Sequence, residues 1–85
     1  MNYVYVLISL KDDKSYIGST TDLRRRLKEH SDGEVVSTRP RRPLKLVYYE
    51  AYSEEQDARE RESSLKLKSN AYAQLRRRIK RSLGI

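Results

Sequence analysis

Apolar and aromatic residues fill both alternate sets of positions near the start of the chain. One set is Tyr3, Tyr5 and Leu7, and the other is Val4, Val6 and Ile8. This period of two predicts a β-strand over residues 3–10 that is buried on both faces. The polar residues 11–14 would form a turn, so that residues 15–19 return as the second strand of a hairpin. Gly18 within that strand indicates a close approach of backbone or ligand.

The next segment has the period of an α-helix. A cap at Thr20 or Thr21 would start the helix. Its inward stripe recurs at i, i+4 and i+7, as Leu23, Leu27 and His30. The Ser-Asp-Gly sequence at residues 31–33 would end it. Residues 32–43 contain both prolines of the chain, and we expect a loop there.

A third strand and a second helix follow this loop. The strand is predicted over residues 44–52. The Ser-Glu-Glu-Gln sequence that comes next has the pattern of a capping box, with Ser53 as the cap and Gln56 reaching back to it. The helix that it starts is expected to end near Lys68.

A last helix is predicted after Ser69 or Asn70, either of which could cap it. Its stripe is Tyr72, Leu75, Ile79 and Leu83. The order β-β-α-β-α-α predicts a small α/β (α+β) fold, in which helices flank a three-stranded antiparallel or mixed sheet. We expect a single domain over residues 1–85, with its core over residues 1–68 and a basic C-terminal helix over residues 69–85.

Composition limits the classes of protein to consider. The chain has 85 residues, of which 36% are hydrophobic and 36% are charged, so it can build only one small core. It has no cysteine, which excludes disulfides and thiolate metal sites. Its longest apolar run, residues 4–8, is too short to cross a bilayer, and no secretory leader is visible. We therefore expect a cytoplasmic protein.

The net charge of +7 is unevenly placed along the chain. Half of the twelve acidic residues lie between Glu50 and Glu62, and none follows Glu62. Basic residues cluster at 24–26, 39–42 and 66–81. Such clusters favour a polyanionic partner, because neutralised phosphates release their condensed counterions. Solvated helix faces and a basic tail would give the same pattern.

Glu62 is the sharpest anomaly in the helical pattern. It falls between Ala58 and Leu65 on the stripe that should face the sheet. A buried carboxylate without a partner is unfavourable, so this position needs an explanation. Glu62 could be a metal ligand or a general acid or base at the sheet edge. It could equally be a rim glutamate paired with one of the many arginines.

Arg26 and His30 lie one turn apart on the first predicted helix. His30 is the only histidine of the chain, so any imidazole chemistry near neutral pH must use it. A zinc site is not expected from one histidine and no cysteine. The alternative role for His30 is an interaction with the last carbonyl groups of its own helix.

The aromatic residues of the chain are seven tyrosines. Tyr48, Tyr52 and Tyr72 need no role beyond packing. Antiparallel pairing would set Tyr5 and Tyr16 side by side on one face, with their hydroxyls converging near the start of the first helix. A phenol is a poor base at neutral pH unless a nearby cation lowers its pKa.

These residues resemble the GIY-YIG endonuclease superfamily. Residues 16–18, Tyr-Ile-Gly, match the second signature string in full, whereas residues 3–5, Tyr-Val-Tyr, share only the final tyrosine of Gly-Ile-Tyr. Arg26 occupies the place of the family's essential arginine, and His30 that of a histidine found in many members. Residues 61–66 resemble the helix that carries the metal-binding glutamate.

The resemblance covers about residues 2–68 and is closest to short stand-alone bacterial members, with similarity to the N-terminal domain of a bacterial excinuclease. Residues 38–43 and 46–50 look like segments of these short proteins. Two positions depart from the family pattern. Tyr3 replaces the first glycine, and Asn70, the only candidate for an asparagine that many members carry, does not match in spacing.

The resemblance implies divalent-metal-dependent hydrolysis of a DNA phosphodiester by a catalytic-type core. Glu62 would hold Mg²⁺ or Mn²⁺, and Arg26 would contact the scissile phosphate. Tyr5 would be the general base, its own proton passing to His30 or to solvent, and Tyr16 would orient Tyr5 or the phosphate. The DNA backbone would be held without sequence readout by basic side chains, namely Arg25, Arg39, Arg41, Arg42, Lys66 and Arg77.

Two other functions remain open from the sequence. The first is a non-catalytic nucleic-acid-binding module of the same fold. The second is an accessory protein whose basic tail docks on an acidic protein. The structure of the DNA substrate and the oligomeric state are open as well, and no membrane partner is expected.

Overall fold

The fold alternates strands and helices in the predicted order. The computed structural model describes residues 1–84, except for the side chain of Ser69. The elements are β1 (Asn2–Ser9), β2 (Ser15–Thr20), α1 (Leu23–Ser31), a short 3-10 helix (Arg39–Arg41), β3 (Leu44–Tyr52), α2 (Glu55–Leu67) and α3 (Ser69–Arg78). The predicted α+β class and the order β-β-α-β-α-α are thus confirmed. The 3-10 helix lies in the segment that was expected to be an irregular loop.

The three strands form one antiparallel sheet in the order β2-β1-β3. The central strand is buried over residues 4–7, as its doubly apolar pattern predicted. Val4 and Val6 face α2 and α3 within the main core, together with Ala58, Leu65 and Leu75. Tyr5 points to the other face, where α1 covers the sheet. The sheet therefore separates an apolar layer from a layer that contains polar aromatic residues.

The helix starts differ from those expected. Asp22, not Thr20 or Thr21, is the cap of α1, and its Oδ1 accepts the backbone N–H of Arg25 at 3.0 Å. Thr20 instead accepts the backbone N–H of Asp22 at 3.1 Å and so positions the capping residue. Asp22 occupies the cap position because its carboxylate also interacts favourably with the positive end of the helix dipole.

The expected capping box of α2 does not form. The cap position is Glu54, one residue after Ser53, and no side chain bonds a free N–H there. Gln56 donates to the carboxylate of Glu60 at 3.2 Å, one turn ahead, and is therefore not available to reach back. Helix α3 begins at Ser69 with Lys68 at the cap position, so Asn70 is not its cap, and a capping role of the Ser69 side chain lies outside the described residues.

Candidate active site

The hydroxyl of Tyr5 is the centre of a buried polar cluster on the α1 face of the sheet. Its oxygen lies 2.8 Å from Nε2 of His30, and both side chains are 1% exposed. The rings of Tyr5 and Tyr16 lie 6.4 Å apart between centroids, and Tyr16 also meets His30 edge to face at 5.2 Å. The two tyrosines are therefore neighbours on one face, as predicted. The Tyr5 hydroxyl contacts His30 near the end of α1 and also lies beside Arg26 in the first turn of that helix.

Gly18 makes this arrangement of rings possible. It is the Cα partner of Tyr5 in the β1–β2 pair. A Cβ atom at position 18 would lie 2.5 Å from the hydroxyl oxygen of Tyr5 and 3.1 Å from the ring of Tyr16. The close backbone approach predicted for Gly18 is confirmed, and the atoms that approach it are those of the two signature tyrosines.

His30 is held at both ring nitrogens. Its Nδ1 lies 2.8 Å from Oγ1 of Thr38, a buried residue of the loop after α1. Burial, reinforced by the charge of Arg26, lowers the pKa of His30 below its ordinary value. The imidazole is therefore neutral near pH 7, with one nitrogen able to donate and the other able to accept. Because Thr38 Oγ1 can also donate to the carbonyl of Val35 at 3.5 Å, the tautomer with Nδ1–H leaves Nε2 as the acceptor for Tyr5.

The alternative role of His30, bonding the last carbonyl groups of α1, is not what the structure shows. Both nitrogens contact side chains from other elements. Thr38 was not identified from the sequence as a partner. Its only signal was its place at the start of the residue 38–43 segment that resembles short GIY-YIG proteins.

Arg26 lies beside the Tyr5 hydroxyl and reaches the solvent-facing side of the cluster. Its guanidinium is 35% exposed and pairs with Glu29, with Nη1 and Oε1 at 3.0 Å. Burial raises the pKa of Tyr5 to about 12, although the neighbouring Arg26 acts in the opposite direction. One guanidinium is therefore not enough to make Tyr5 a base at neutral pH. The negative charge of Glu62 adds to the upward shift.

Glu62 approaches the same edge of the sheet from the opposite face. Its Oε1 accepts the hydroxyl of Ser19 at 2.6 Å, and its Oε2 pairs with Nζ of Lys66 at 2.7 Å. Gly18 and Ser19 are consecutive in β2 and pair with Tyr5 and Val4, so Ser19 points to the face opposite to the Tyr5 ring. The edge strand β2 thereby joins the tyrosine cluster on one face to the glutamate on the other. Ser19 is a partner that the sequence did not indicate.

The charge state of Glu62 suits a residue that binds a cation. Burial alone would raise its pKa, but the hydrogen bonds from Lys66 and Ser19 outweigh burial and keep the pKa below the ordinary value. The carboxylate is therefore ionised at neutral pH. The cationic partner is Lys66, one turn along α2, and not an arginine as the rim interpretation expected.

A metal ion bound to Glu62 would have few ligands from the protein. Within residues 1–84, no group of three or more histidine, aspartate or glutamate side chains is arranged to hold an ion. A single ionised carboxylate oxygen is a hard ligand, and Mg²⁺ commonly keeps several water ligands of its own. Glu62 fits such an ion if Lys66 moves away from Oε2, because the ammonium group and a metal ion would compete for that oxygen.

The loop arginines proposed as DNA contacts are engaged within the protein. Arg39 donates from Nε to the carbonyl of Gly33 at 2.7 Å. Arg42 donates from Nε to the carbonyl of Arg39 at 3.1 Å. Arg41 lies 3.4 Å from the carboxylate of Asp12 and is only 23% exposed. These contacts hold the loop in place through partners within the protein. Contact of the three arginines with phosphate stays a prediction.

The other proposed DNA contacts lie in different places. Arg25 is exposed on α1, with Nε 4.0 Å from Glu29, and therefore lies close to Arg26. Arg77 is exposed on α3, which packs on the opposite face of the sheet. Lys66 is bound to Glu62. The structure therefore places Arg25 near Arg26 on α1 and Lys66 at the β2 edge on the opposite face of the sheet, and it does not bring Arg77 to the tyrosine cluster.

Comparison with known proteins identifies the family. A family model described as the GIY-YIG catalytic domain matches residues 1–80. The chain belongs to the GIY-YIG family. This is a family of endonucleases, whose substrates are nucleic acids.

Relatives of similar length carry the UPF0213 designation. A UPF0213 protein of Clostridium perfringens is 43% identical over 67 residues, which are 78% of this chain and 71% of that one. One from Haloquadratum walsbyi is 39% identical over 66 residues, 76% of this chain and 73% of that one. The solution NMR structure of a UPF0213 protein from Bacillus halodurans is 40% identical, with a TM-score of 0.55 over 88% of this chain and 82% of that one.

The resemblance to short stand-alone GIY-YIG proteins is thus confirmed. The structural match also confirms the fold class. None of the helices within residues 1–84 combines the length and the apolar character needed to cross a bilayer.

Proposed function

We propose that this GIY-YIG protein is a divalent-metal-dependent endonuclease that hydrolyses DNA phosphodiester bonds. The observation that carries the proposal is the pairing of Tyr5 with the neutral imidazole of His30 at 2.8 Å, beside Arg26. This arrangement supplies a proton acceptor for a phenol next to a cation that can bind phosphate. The ionised carboxylate of Glu62 lies at the same sheet edge through Ser19.

Tyr5 would act as the general base. Its O–H would donate to Nε2 of His30, so that removal of the phenolic proton leaves an oxygen able to take a proton from water. With a pKa raised to about 12, that deprotonation needs more positive charge than Arg26 supplies. Burial is the main cause of the raised pKa, and a cation on Glu62 would remove the smaller contribution of that carboxylate and add a positive charge of its own.

The remaining side chains would position the phosphate. Arg26, one-third exposed beside the Tyr5 hydroxyl, would contact a non-bridging phosphate oxygen and stabilise the charge that develops there. Tyr16 would orient Tyr5 or the phosphate from the neighbouring position. Arg25 would contact the next phosphate along the strand, without reading sequence.

Glu62 would hold the divalent ion, Mg²⁺ or Mn²⁺, on its ionised carboxylate. When bound, such an ion polarises the phosphate and stabilises the leaving oxygen. Lys66 would have to leave Oε2 and would then be available to a phosphate oxygen. The hydroxyl of Ser19 would keep Oε1, and with it the whole carboxylate, in a fixed orientation.

The test is nicking of supercoiled plasmid with and without Mg²⁺ or Mn²⁺. Wild type should nick only with the metal, and Glu62→Ala should lose this activity. Glu60→Ala is the matched control, because Glu60 is an exposed acid on the same helix that lies outside the site. Metal-independent nicking, or equal nicking by wild type and Glu62→Ala, would contradict the proposal.

A second candidate is a nucleic-acid-binding module of the same fold that does not cleave. The high pKa of Tyr5 favours it, since a phenol that stays protonated is not a base. Salt-dependent DNA binding that is the same in wild type and Glu62→Ala, without nicking under any metal condition, would support this module.

A further inference from the structure

A second aromatic surface lies beside the candidate active site on the same face of the sheet. The rings of Tyr3 and Tyr49 meet edge to face, with their centroids 6.1 Å apart. Tyr49 is the Cα partner of Tyr5 across the β1–β3 pair, so this surface adjoins the candidate base. We refer to Tyr3 and Tyr49 as the tyrosine shelf.

The shelf is open to solvent. Tyr49 is 53% exposed, an unusual exposure for a large aromatic side chain in the middle of a strand. The shelf forms one wall of a groove of about 410 Å³, and the first half of α1 forms the other wall. A planar ligand could therefore lie against the Tyr49 ring without displacing any part of the fold.

The charge around the groove favours a nucleic-acid ligand. Arg24 lines the groove and has no ion-pair partner among residues 1–84. The one carboxylate that lines the groove, Asp22, is already bonded to the backbone N–H of Arg25 at the start of α1. An exposed aromatic ring beside such a guanidinium is the combination that binds the bases and the backbone of a single strand.

We propose that the tyrosine shelf stacks an unpaired nucleobase of the DNA strand whose phosphate lies at Tyr5 and Arg26. Tyr49 would offer its ring face to the base, Tyr3 would support that ring from the side, and Arg24 would contact the adjoining phosphate. Tyr3 stands where the GIY-YIG signature has glycine, so the supporting ring has no counterpart in that signature. The inference rests on the proposed function for the placement of the strand.

The substrate class follows from the shelf. A base inside a continuous duplex is stacked between its neighbours and presents only its edge, whereas an unpaired base offers a whole face. The protein should therefore bind single-stranded, gapped or flapped DNA more tightly than a duplex of equal charge. Binding to the shelf does not depend on the sequence of the strand, because every base has a ring face.

The test uses three fluorescein-labelled DNAs: a single strand, a strand of the same length made of abasic residues, and the duplex that contains the first strand. Anisotropy titrations are carried out with wild type in EDTA, so that no strand is cut. We expect wild type to bind the normal strand roughly tenfold more tightly than the abasic strand, the size of one base–aromatic stack. Tyr49→Ala should remove this difference, and Tyr49→Phe should keep it, because stacking needs the ring and not the hydroxyl.

A second measurement uses wild type alone. A strand with 2-aminopurine at the central position should lose fluorescence on binding, since stacking on tyrosine quenches the base analogue. Equal affinity for the normal and abasic strands, or a preference that persists in Tyr49→Ala, would contradict the proposal that the tyrosine shelf stacks a base.

The two proposals can fail separately. A preference for the normal strand without metal-dependent nicking would contradict the nuclease proposal and support the tyrosine shelf as a binding site. Metal-dependent nicking without any preference for the normal strand would support the nuclease proposal and contradict base stacking on the tyrosine shelf.

Discussion

Two clusters of tyrosine, glutamate and arginine occur in this protein, and they behave differently. The first is the candidate site around Tyr5. The second surrounds Glu50 on the face covered by α2 and α3, where Tyr48 donates to the carboxylate at 2.5 Å and Tyr52 donates to its other oxygen. Arg61 bonds both oxygens of Glu50, with Nε 3.0 Å from Oε1 and Nη2 3.0 Å from Oε2.

The two clusters differ in the partners of their phenols, and we call the Glu50 cluster closed because its donors and its carboxylate are all paired with one another. Around Glu50, each phenol donates to the carboxylate and one guanidinium balances its charge. Burial and these bonds raise the pKa of Tyr52 to about 12. Tyr5 has a similar pKa, but its neighbour is a neutral imidazole that can take a proton, and the adjacent Arg26 is partly exposed. Similar residue types therefore have different partners in the two clusters: a carboxylate accepts from the phenols in one, and a neutral imidazole lies next to the phenol in the other.

The largest expected effect is on the rate of metal-dependent nicking. It is found by removing one hydroxyl from each cluster in turn and comparing the two variants. Tyr5→Phe should reduce metal-dependent nicking by at least about 100-fold, the usual contribution of a general base. Tyr48→Phe removes an equivalent hydroxyl from the Glu50 cluster and should leave the nicking rate within about twofold, because surrounding interactions there are structural. Initial rates on supercoiled plasmid measure both, with circular dichroism to confirm folding. Equal losses in the two variants would mean that the clusters do not differ in function.

The next effect is on stability. Glu50→Ala should lower the free energy of unfolding by about 2 kcal/mol, since Arg61 and two hydroxyl groups would lose their acceptor while half-buried. The Glu50 side chain is 15% exposed, which places the expected loss below that of a fully buried pair. Glu60→Ala, an exposed change on α2, should alter stability by no more than about 0.5 kcal/mol. Urea unfolding measures both, and a loss no larger for Glu50→Ala than for the control would show that the closed cluster is not stabilising.

The smallest effect is a difference in pH dependence. The pKa of His30 is held below its ordinary value of 6.5 by burial and by Arg26. The unfolded chain therefore binds a proton before the folded one as the pH falls through 6.5, and stability is lost in that range. The Glu50 pKa is lowered from 4.5, so the closed cluster loses stability only at more acidic pH.

The check is urea unfolding near pH 7 and near pH 5.5. Wild type should lose stability between them, and His30→Gln should lose less, because His30 is the only histidine of the chain. An equal loss in both proteins would show that another group titrates there.

The sequence alone determined the order of elements and the family. Both depend on local signals: the periods of two and 3.6 that favour strand and helix, and the short strings around Tyr5, Tyr16, Arg26 and Glu62. Gly18 could also be interpreted correctly, since a glycine inside a strand indicates close approach. The caps at Ser53 and Thr20 or Thr21 were wrong, because several nearby polar groups compete for the same N–H groups and small geometric differences select among them.

Only the tertiary structure decided which side chains meet. Thr38 reaches His30 across a loop, and Ser19 reaches Glu62 across 43 positions of sequence. Tyr48 and Tyr52, taken from the sequence as packing residues, donate to Glu50. Such pairings follow from how the helices sit on the two faces of the sheet, which depends on the packing of the whole core. No local sequence pattern encodes this packing. The sequence therefore indicated which side chains could take part in chemistry, and the fold determined which partners each of them has.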